Sequence, residues 1–298
     1  MRLKLSVLMA VKNEEKYLSN ALKSVLSFDH QDEFCIEVIV VDDGSSDNTY
    51  GIASSFTQDP RVKVFKNQSQ GKVSAFNYAY CQSSGDYFIF LAGDDELVSE
   101  VLVDRVKVLQ SVTKGKPSVS RCRIRTFSLN PRFDGVIYPK DEGKGSDSGG
   151  AICMNKDFAN LVFPIPECLP NEDTWISLHS LYFDVSIRNI SSIGLNYRIH
   201  EQNSHRRDVS FEVYNDILRR RELASLLFFN KYYNVLSSNK RSSLLTSISS
   251  EIDRAQGELV SLLFKRKLPF RRKVSLAFYC KSYLFSLRMY FNKLFSGL

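Results

Sequence analysis

Across the first 110 residues, short β-branched runs alternate with stretches whose apolar residues recur at helical spacing, and few folds accommodate that rhythm. Leu5 to Met9 reads as a strand, and Leu18, Ala21, Leu22, Val25 and Leu26 then fall on one helical face. Ile36 to Val41 has the short, continuous apolar character of a strand buried on both sides. Asp47 or Asn48 can cap a helix running to Phe56. Val62 to Phe65 and Asp86 to Leu91 predict two further strands, with a helix from Gly71 to about Cys81 between them. The spacing of Leu97, Val101, Leu102, Val106 and Leu109 predicts a helix after the fourth strand. This succession implies an α/β fold, a Rossmann-like and mostly parallel central sheet with helices on both faces.

Beyond residue 115 the rhythm weakens. Val119 to Ile124 and Val136 to Tyr138 flank a Gly/Ser/Asp loop at 143–150, which suggests a smaller mixed region that continues the sheet. From about 208 the chain turns helical, and Leu244, Leu245, Ile248, Ile252, Leu259, Val260 and Leu263 predict one amphipathic stripe. We therefore expect a domain at 1–207, with its second half from about 112 forming one side of a site, and a helical extension at 208–298.

With 298 residues, 43% hydrophobic and 24% charged, the chain has the makings of a substantial core and excludes a disordered or fibrous class. No run approaches the ~18 apolar residues of a membrane-spanning helix. The N-terminal segment lacks the apolar core and cleavage site of a signal peptide, so a cytoplasmic location is expected. Six scattered cysteines without C-x-x-C pairs read as reduced thiols serving as small core residues rather than zinc ligands.

Ligands of open parallel sheets bind at the carboxyl ends of the strands. Just past each predicted strand stands a polar cluster: Lys12-Asn13-Glu14-Glu15, Asp42-Asp43-Gly44-Ser45-Ser46-Asp47, Asn67-Gln68-Ser69-Gln70-Gly71-Lys72, and Gly93-Asp94-Asp95-Glu96. One such cluster is ordinary turn chemistry. Four on one sheet edge, two with paired aspartates, point to a site for a polar ligand and a cation. The second cluster could serve only as a turn and helix cap, and the fourth only as a cap. The second is no EF-hand, since Asn48 and Ser54 stand where glycine and glutamate are needed. Gly71-Lys72 is no P-loop, because Lys66 and Val73 replace its first glycine and its hydroxyl residue.

In order and spacing, Ser6 to Leu18, Val40 to Asp47, Gly71-Lys72 with Asn77, and Phe90 to Asp95 resemble a family 2 glycosyltransferase over roughly residues 5–110, and more weakly to about 205. The resemblance implies a GT-A type fold, a nucleotide-diphospho-sugar donor, a divalent metal (Mn2+ or Mg2+) and inversion at the sugar carbon. It implies donor contacts at Ala10, Val11, Asn13 and Glu14 in the first loop, where Ala10 replaces a frequent proline. Asp42 and Asp43 would contact base and ribose, and an acceptor-only carboxylate suits the N3–H of uracil or thymine, which favours UDP or dTDP. Lys72 would meet a phosphate as a point charge. The family's D-x-D metal motif falls at Asp94 and Asp95, but its first position here is Ala92, so either aspartate remains a candidate for the metal, and Asp94 for the donor as well.

Two later elements fit the same chemistry. Leu169-Pro170-Asn171-Glu172-Asp173-Thr174-Trp175 is similar to the family's Glu-Asp motif, in which the Asp is general base, so Glu172 and Asp173 are the catalytic candidates. A position next to the only tryptophan would desolvate a carboxylate and raise its pKa. The plainer reading is a helix start, with Asn171 as cap and two acids in the first turn. His200, in Tyr197-Arg198-Ile199-His200, matches a histidine that completes the metal site in some family members. His205, among Arg206 and Arg207, has no assignment.

The net charge of +7 is concentrated at one end. Residues 259–298 hold nine Lys and Arg and no Asp or Glu, which leaves −2 for the other 258. Pro269 should break a helix there. Continued as one helix, 274–295 would group Lys281 and Arg288 with Lys273 and leave most of its circumference apolar. Such a segment, over 262–295, suits an anionic membrane surface, and would bring the chain to a lipid-linked saccharide acceptor on the inner face of the plasma membrane, as in bacterial surface-polysaccharide assembly. Burial against the rest of the chain or a dimer contact is the alternative. No nucleic-acid motif accompanies the basic residues. The competing functions are a non-catalytic nucleotide-sugar binder, which Ala92 keeps open, and a sugar-phosphate nucleotidyltransferase, whose Gly-rich N-terminal loop is missing at Ala10 to Glu15.

Overall fold

The computed structural model describes residues 2–28, 32–200 and 209–295. They form two compact units, Met1–His200 and Glu201–Leu298. The boundary expected at 207/208 lies outside the described residues, as does His205.

The first unit opens with β1 (Lys4–Val11), α1 (Leu18–Leu26), β2 (Cys35–Asp42), α2 (Thr49–Ser55), β3 (Val62–Lys66), α3 (Lys72–Gln82) and β4 (Tyr87–Leu91). It continues through β5 (Glu96–Leu97), α4 (Leu102–Gln110), β6 (Ser118–Ser128), β7 (Ile137–Tyr138), β8 (Ile152–Asn155), α5 (Lys156–Val162), α6 (Asp173–Tyr182) and β9 (Ser186–Ile199). One sheet runs in the order β3-β2-β1-β4-β8-β6-β9-β5, with β7 paired to β6. Strands β3, β2, β1 and β4 are parallel, whereas β8 joins β4 antiparallel and β6 joins β8 antiparallel. The expected mixed region is therefore the second half of the same sheet.

Alternation along the strands supplies two apolar faces. Leu5, Val7 and Met9 of β1, with Val38, Val40, Ile89 and Leu91, meet Leu18, Leu22 and Val25 of α1 and Leu102 and Val106 of α4 in one buried cluster. On the other face Phe76 of α3 meets Phe90 edge-on at 4.7 Å, and Tyr80 lies 5.1 Å from Phe88. Both faces are thus covered, which explains the uninterrupted burial of Ile36 to Asp42.

Several expectations are corrected. Leu97 lies in β5 rather than in a helix: it pairs with Leu195 of β9, and α4 begins only at Leu102. Asp94 and Asp95 therefore precede a strand and cap no helix. Cys122, Cys153 and Cys280 are buried, but Cys81 and Cys168 are exposed, so the thiols are not all core residues.

The second unit consists of α7 (Phe211–Tyr232), α8 (Ser238–Gln256), α9 (Leu259–Phe264), α10 (Phe270–Ala277) and α11 (Ser282–Phe295). The single stripe at 244–263 is broken. Gly257, in the left-handed region at φ 77°, ends α8, and a turn there re-aims the chain into α9. Leu244 and Ile248 are buried, whereas Leu245, Ile252, Val260 and Leu263 are exposed. Residues 274–295 are likewise two helices, so Lys281 lies outside both and the grouping of Lys273, Lys281 and Arg288 on one side dissolves. Pro269 does stand at the start of α10. No helix among the described residues is long and apolar enough to cross a membrane.

Candidate active site

The four polar clusters meet at the carboxyl ends of β1, β2, β3 and β4, and each is tied to a neighbour. Asn13 takes a left-handed conformation at φ 56°, which asparagine tolerates better than most residues. Its Oδ1 accepts the Ser46 N–H at 2.9 Å, while its own N–H donates to Ser45 Oγ at 3.0 Å. Loop one is thereby locked to loop two. The Glu14 N–H donates to Thr49 Oγ1, and Asp47 accepts the Thr49 N–H at 3.0 Å from the position before the N-cap; the N-cap itself is Asn48, whose side chain caps nothing.

Asp42 and Asp43 are both buried and have different partners. Asp42 closes its own turn by accepting the Ser45 N–H and hydroxyl. Asp43 Oδ1 accepts from Asn67 Nδ2 at 2.7 Å and from the Gly71 N–H at 2.8 Å, while Lys12 Nζ approaches its Oδ2 at 3.6 Å. Asp43 therefore holds the loop that delivers Lys72. Gly71, at φ 111° and ψ 148°, adopts a conformation that side chains forbid, and its Cβ direction opens onto empty space. Ala10 and Val11 end β1 opposite Val41 and Asp42.

Lys72 Nζ donates to Glu172 Oε1 at 3.0 Å across 100 residues of chain. Its partial burial works against its charge, but Glu172, then Asp173 and Asp94, hold its pKa above the ordinary lysine value. Glu172 precedes α6 and caps nothing with its side chain; Asp173 occupies the first turn, and Asn171 does not cap either. Glu172 Oε2 is buried without a hydrogen-bond partner. A methyl group on Gly149 would sit 3.2 Å from Glu172 Oε1 and 3.3 Å from Asp173 Oδ1, so the two carboxylates converge on the 149–151 turn. Trp175 is fully buried and donates to the Val162 carbonyl at 2.9 Å, anchoring α6 behind them.

Asp94 and Asp95 also diverge. Asp94 Oδ2 lies 2.9 Å from His200 Nε2. Asp95 turns to β9, where its Oδ1 accepts the Arg198 N–H at 2.9 Å; burial and the neighbouring Asp94 push its pKa up. Glu14 borders the same cluster. Burial, then Asp94 and Asp47, push its carboxyl up to about 8 against the pull of Arg198 and Lys72. Any side chain at position 93 would strike it, since a Cβ on Gly93 would come within 2.8 Å of Glu14 Cγ.

Nothing in the local sequence marks Arg198, whose only signal is its place beside His200. Its guanidinium is stacked over Tyr17 at 4.4 Å and Phe127 at 4.0 Å, donates to the Asp94 carbonyl at 2.9 Å and pairs with Glu96 at 2.8 Å. Arg105, fully buried on α4, is equally unmarked; it donates to the Gly150 carbonyl at 3.0 Å and so holds the turn beneath Glu172 and Asp173.

Among the described residues no three His, Cys, Asp or Glu side chains are grouped to hold a metal ion. One carboxylate and one imidazole do converge there amid further acids, and a divalent cation held by them would need its remaining ligands from elsewhere.

A parallel sheet whose strand ends gather acids, two lysines and a carboxylate–imidazole pair is the frame of a GT-A type transferase. The profile of glycosyl transferase family 2 matches residues 6–141. A GalNAc(5)-diNAcBac-PP-undecaprenol beta-1,3-glucosyltransferase of Campylobacter jejuni is 31% identical, over 75% of this chain and 74% of its own. An uncharacterized glycosyltransferase of Nostoc is 33% identical over 68% and 67%. Among solved structures, S. aureus TarS 1-349 in complex with UDP-GlcNAc superposes with a TM-score of 0.59 at 18% identity, over 96% of this chain and 84% of its own. The mannosyltransferase PcManGT from Pyrobaculum calidifontis, in complex with GDP-Man and Mn2+, gives 0.60 at 14%, over 99% and 88%. The chain belongs to glycosyl transferase family 2 and is a glycosyltransferase. A sugar-phosphate nucleotidyltransferase is thereby set aside.

Proposed function

We propose that the chain transfers a sugar, with inversion, from a nucleotide-diphospho-sugar to an acceptor hydroxyl on a lipid-linked saccharide, with UDP or dTDP as the favoured nucleotide. The observation that carries this reading is the meeting of Lys72 with Glu172, because it brings the phosphate-facing end of α3 against the two acids at the start of α6. The acceptor class is supported by the Campylobacter relative, whose name specifies a PP-undecaprenol glycan.

In this reading Asp42 and Asp43 receive the base and ribose through the acceptor capacity that their loop contacts leave. Ala10, Val11, Asn13 and Glu14 line the nucleotide from β1, and Lys72 faces the diphosphate. Asp94, which also faces the donor, and His200 would hold Mn2+ or Mg2+; Asp95 fastens the loop to β9. Such an ion would offset the charge that develops on the departing diphosphate. Asp173 takes the proton of the acceptor hydroxyl while that oxygen bonds to the anomeric carbon. The bond from that carbon to the diphosphate oxygen breaks with its electron pair leaving on the nucleoside diphosphate. Glu172 keeps Lys72 and Asp173 in register. The acceptor side is assigned to 112–207, and the chain to the inner face of the plasma membrane, with its basic segment within 262–295 toward the lipid.

The test is release of nucleoside diphosphate from UDP-, dTDP- and GDP-sugars with Mn2+, Mg2+ or EDTA, beside thermal shift with the same ligands. One donor should be hydrolysed slowly, and Asp173→Asn should abolish transfer while its donor binding stays nearly intact. Transfer at the wild-type rate by that variant would remove Asp173 as the base.

A further inference from the structure

Helices α9 and α10 fold back on each other around Leu262, Leu268 and Leu276, which form a small buried cluster of their own. That packing leaves three large apolar side chains outside: Phe264 is 80% exposed, Phe270 77% and Val260 69%. Phe264 closes α9 and Phe270 opens α10, so both stand at the turn that joins the helices.

The basic residues of this turn divide into two sets. Lys265 pairs with Asp253 at 2.6 Å, Arg272 with Glu251 at 2.8 Å, Lys267 donates to Ser242 Oγ at 2.7 Å, and Lys273 donates to the Leu263 carbonyl at 2.8 Å. These cations fasten the turn to α8 and α9. Arg266 and Arg271 are exposed and make no ion pair among the described residues. Arg271 follows Phe270 directly, and Arg266 stands two positions after Phe264. With no Asp or Glu from 259 onward, nothing in the segment itself offsets their charge.

We propose that the α9–α10 turn is a membrane-contact tip, with Phe264 and Phe270 entering the headgroup boundary of an anionic bilayer and Arg266 and Arg271 meeting lipid phosphates. This deepens the lipid-linked acceptor reading above and rests on it for its purpose. It narrows the contact from 262–295 to the place where exposed phenylalanines and arginines without ion pairs among the described residues coincide. On α11, Phe285 packs on Tyr214 and Phe211 and Arg288 is stacked over Tyr279 at 4.4 Å, so that arginine is already engaged although Tyr283 and Leu287 are exposed. Charge also selects the occupant. A second copy seated on this tip would set Arg266 and Arg271 against their own counterparts, whereas an anionic surface complements them.

The test is co-sedimentation of the full chain with vesicles of phosphatidylcholine alone or containing phosphatidylglycerol. The wild type should partition onto the anionic vesicles only. Arg266→Gln with Arg271→Gln should lower that partition roughly thirtyfold, as expected for two interfacial cations. Phe264→Ser with Phe270→Ser should lower it at least about tenfold, since each exchanges an inserted apolar ring for a hydroxyl. Both pairs of side chains are solvent-exposed, so an unchanged melting temperature checks the fold. No binding to anionic vesicles, or binding unaffected by the phenylalanine changes, overturns the proposal; equal retention by RNA would then identify a general polyanion surface. Donor hydrolysis without vesicles is read in parallel. Its loss in the wild type counts against the transferase reading, while its survival alongside absent vesicle binding counts against the tip alone.

Discussion

Oδ2 of Asp94 and Nε2 of His200 lie 2.9 Å apart, although 106 residues separate them in the chain. The contact joins the end of β4, in the parallel half of the sheet, to the end of β9, in its mixed half. Strand β5 makes the approach possible by pairing Glu96 with Asn196, which leaves Asp94 and His200 facing across the same edge. Tyr17 flanks the imidazole with ring centroids 5.1 Å apart, so α1 closes a third side.

In the proposed reading Asp94 and His200 would hold the divalent ion, and Asp94→Asn is then a severe change. Turnover should fall by on the order of 10²–10³, the scale for removing one interaction with developing charge. Mn2+ binding in the presence of UDP, monitored by the electron paramagnetic resonance of the free ion, should weaken in both Asp94→Asn and His200→Ala. Undiminished Mn2+ affinity in both variants would move the metal elsewhere.

Lys72 and Glu172 have a structural duty beyond the donor. Removing the ammonium strands a carboxylate that is only 4% exposed. Lys72→Met should therefore cost on the order of 1–2 kcal/mol, below the usual range for a buried pair because Lys72 itself is 40% exposed. Adding Glu172→Gln should restore much of that stability, since the orphaned charge is gone. Donor affinity should stay low in the double variant. If the second change rescues donor binding as well, Lys72 acts on the protein and not on phosphate.

Arg198 acts on the cluster through others. It holds the Asp94 carbonyl and Glu96 with its guanidinium while Tyr17 and Phe127 sandwich the plane. Lysine keeps the charge but loses the planar fork and the stacking. Arg198→Lys should weaken Mn2+ affinity and lower kcat about tenfold to a hundredfold, as for partners that orient metal ligands. The Kd for UDP without metal should stay unchanged. A variant with altered UDP binding and normal Mn2+ affinity would place Arg198 against the nucleotide.

The parallel half of the sheet was legible because each of its elements announces itself locally. Ile36 to Val41 can hardly be anything but a buried strand, and Gly71 before an apolar helix marks a turn that only glycine makes. The polar clusters could be read from position, as strand ends on one edge must face one space. What stayed hidden depends on partners remote in sequence. Leu97 has helical spacing with Val101, yet it lies in a strand because β9, about a hundred residues on, offers it an edge. Apolar spacing likewise carried the expected stripe across Gly257, where a left-handed residue turns the chain. The pairing of Lys72 with Glu172 and the stacking around Arg198 have no local trace, since each is created only when the two halves of the sheet close.

Glu37 gives the first unit a pH dependence of its own. It is 5% exposed on β2 and accepts hydrogen bonds from Ser6 Oγ at 2.7 Å and from Ser84, with Lys63 Nζ at 3.3 Å. Burial disfavours its charge, but these donors outweigh that cost and hold its pKa below the ordinary value of 4.5. A carboxylate with a folded pKa below its unfolded one stabilises the fold above the unfolded value, and that contribution fades as the pH falls toward the folded value. The melting temperature should thus decline as acid is added below about pH 4.5, where the unfolded chain takes up the proton first. Glu37→Gln should melt lower than wild type at neutral pH, because a neutral amide forfeits the charge-assisted bonds to Ser6, Ser84 and Lys63. Its melting curve should then be flatter through the acid range. Parallel acid profiles for the two proteins would mean that Glu37 is not what couples this sheet to pH.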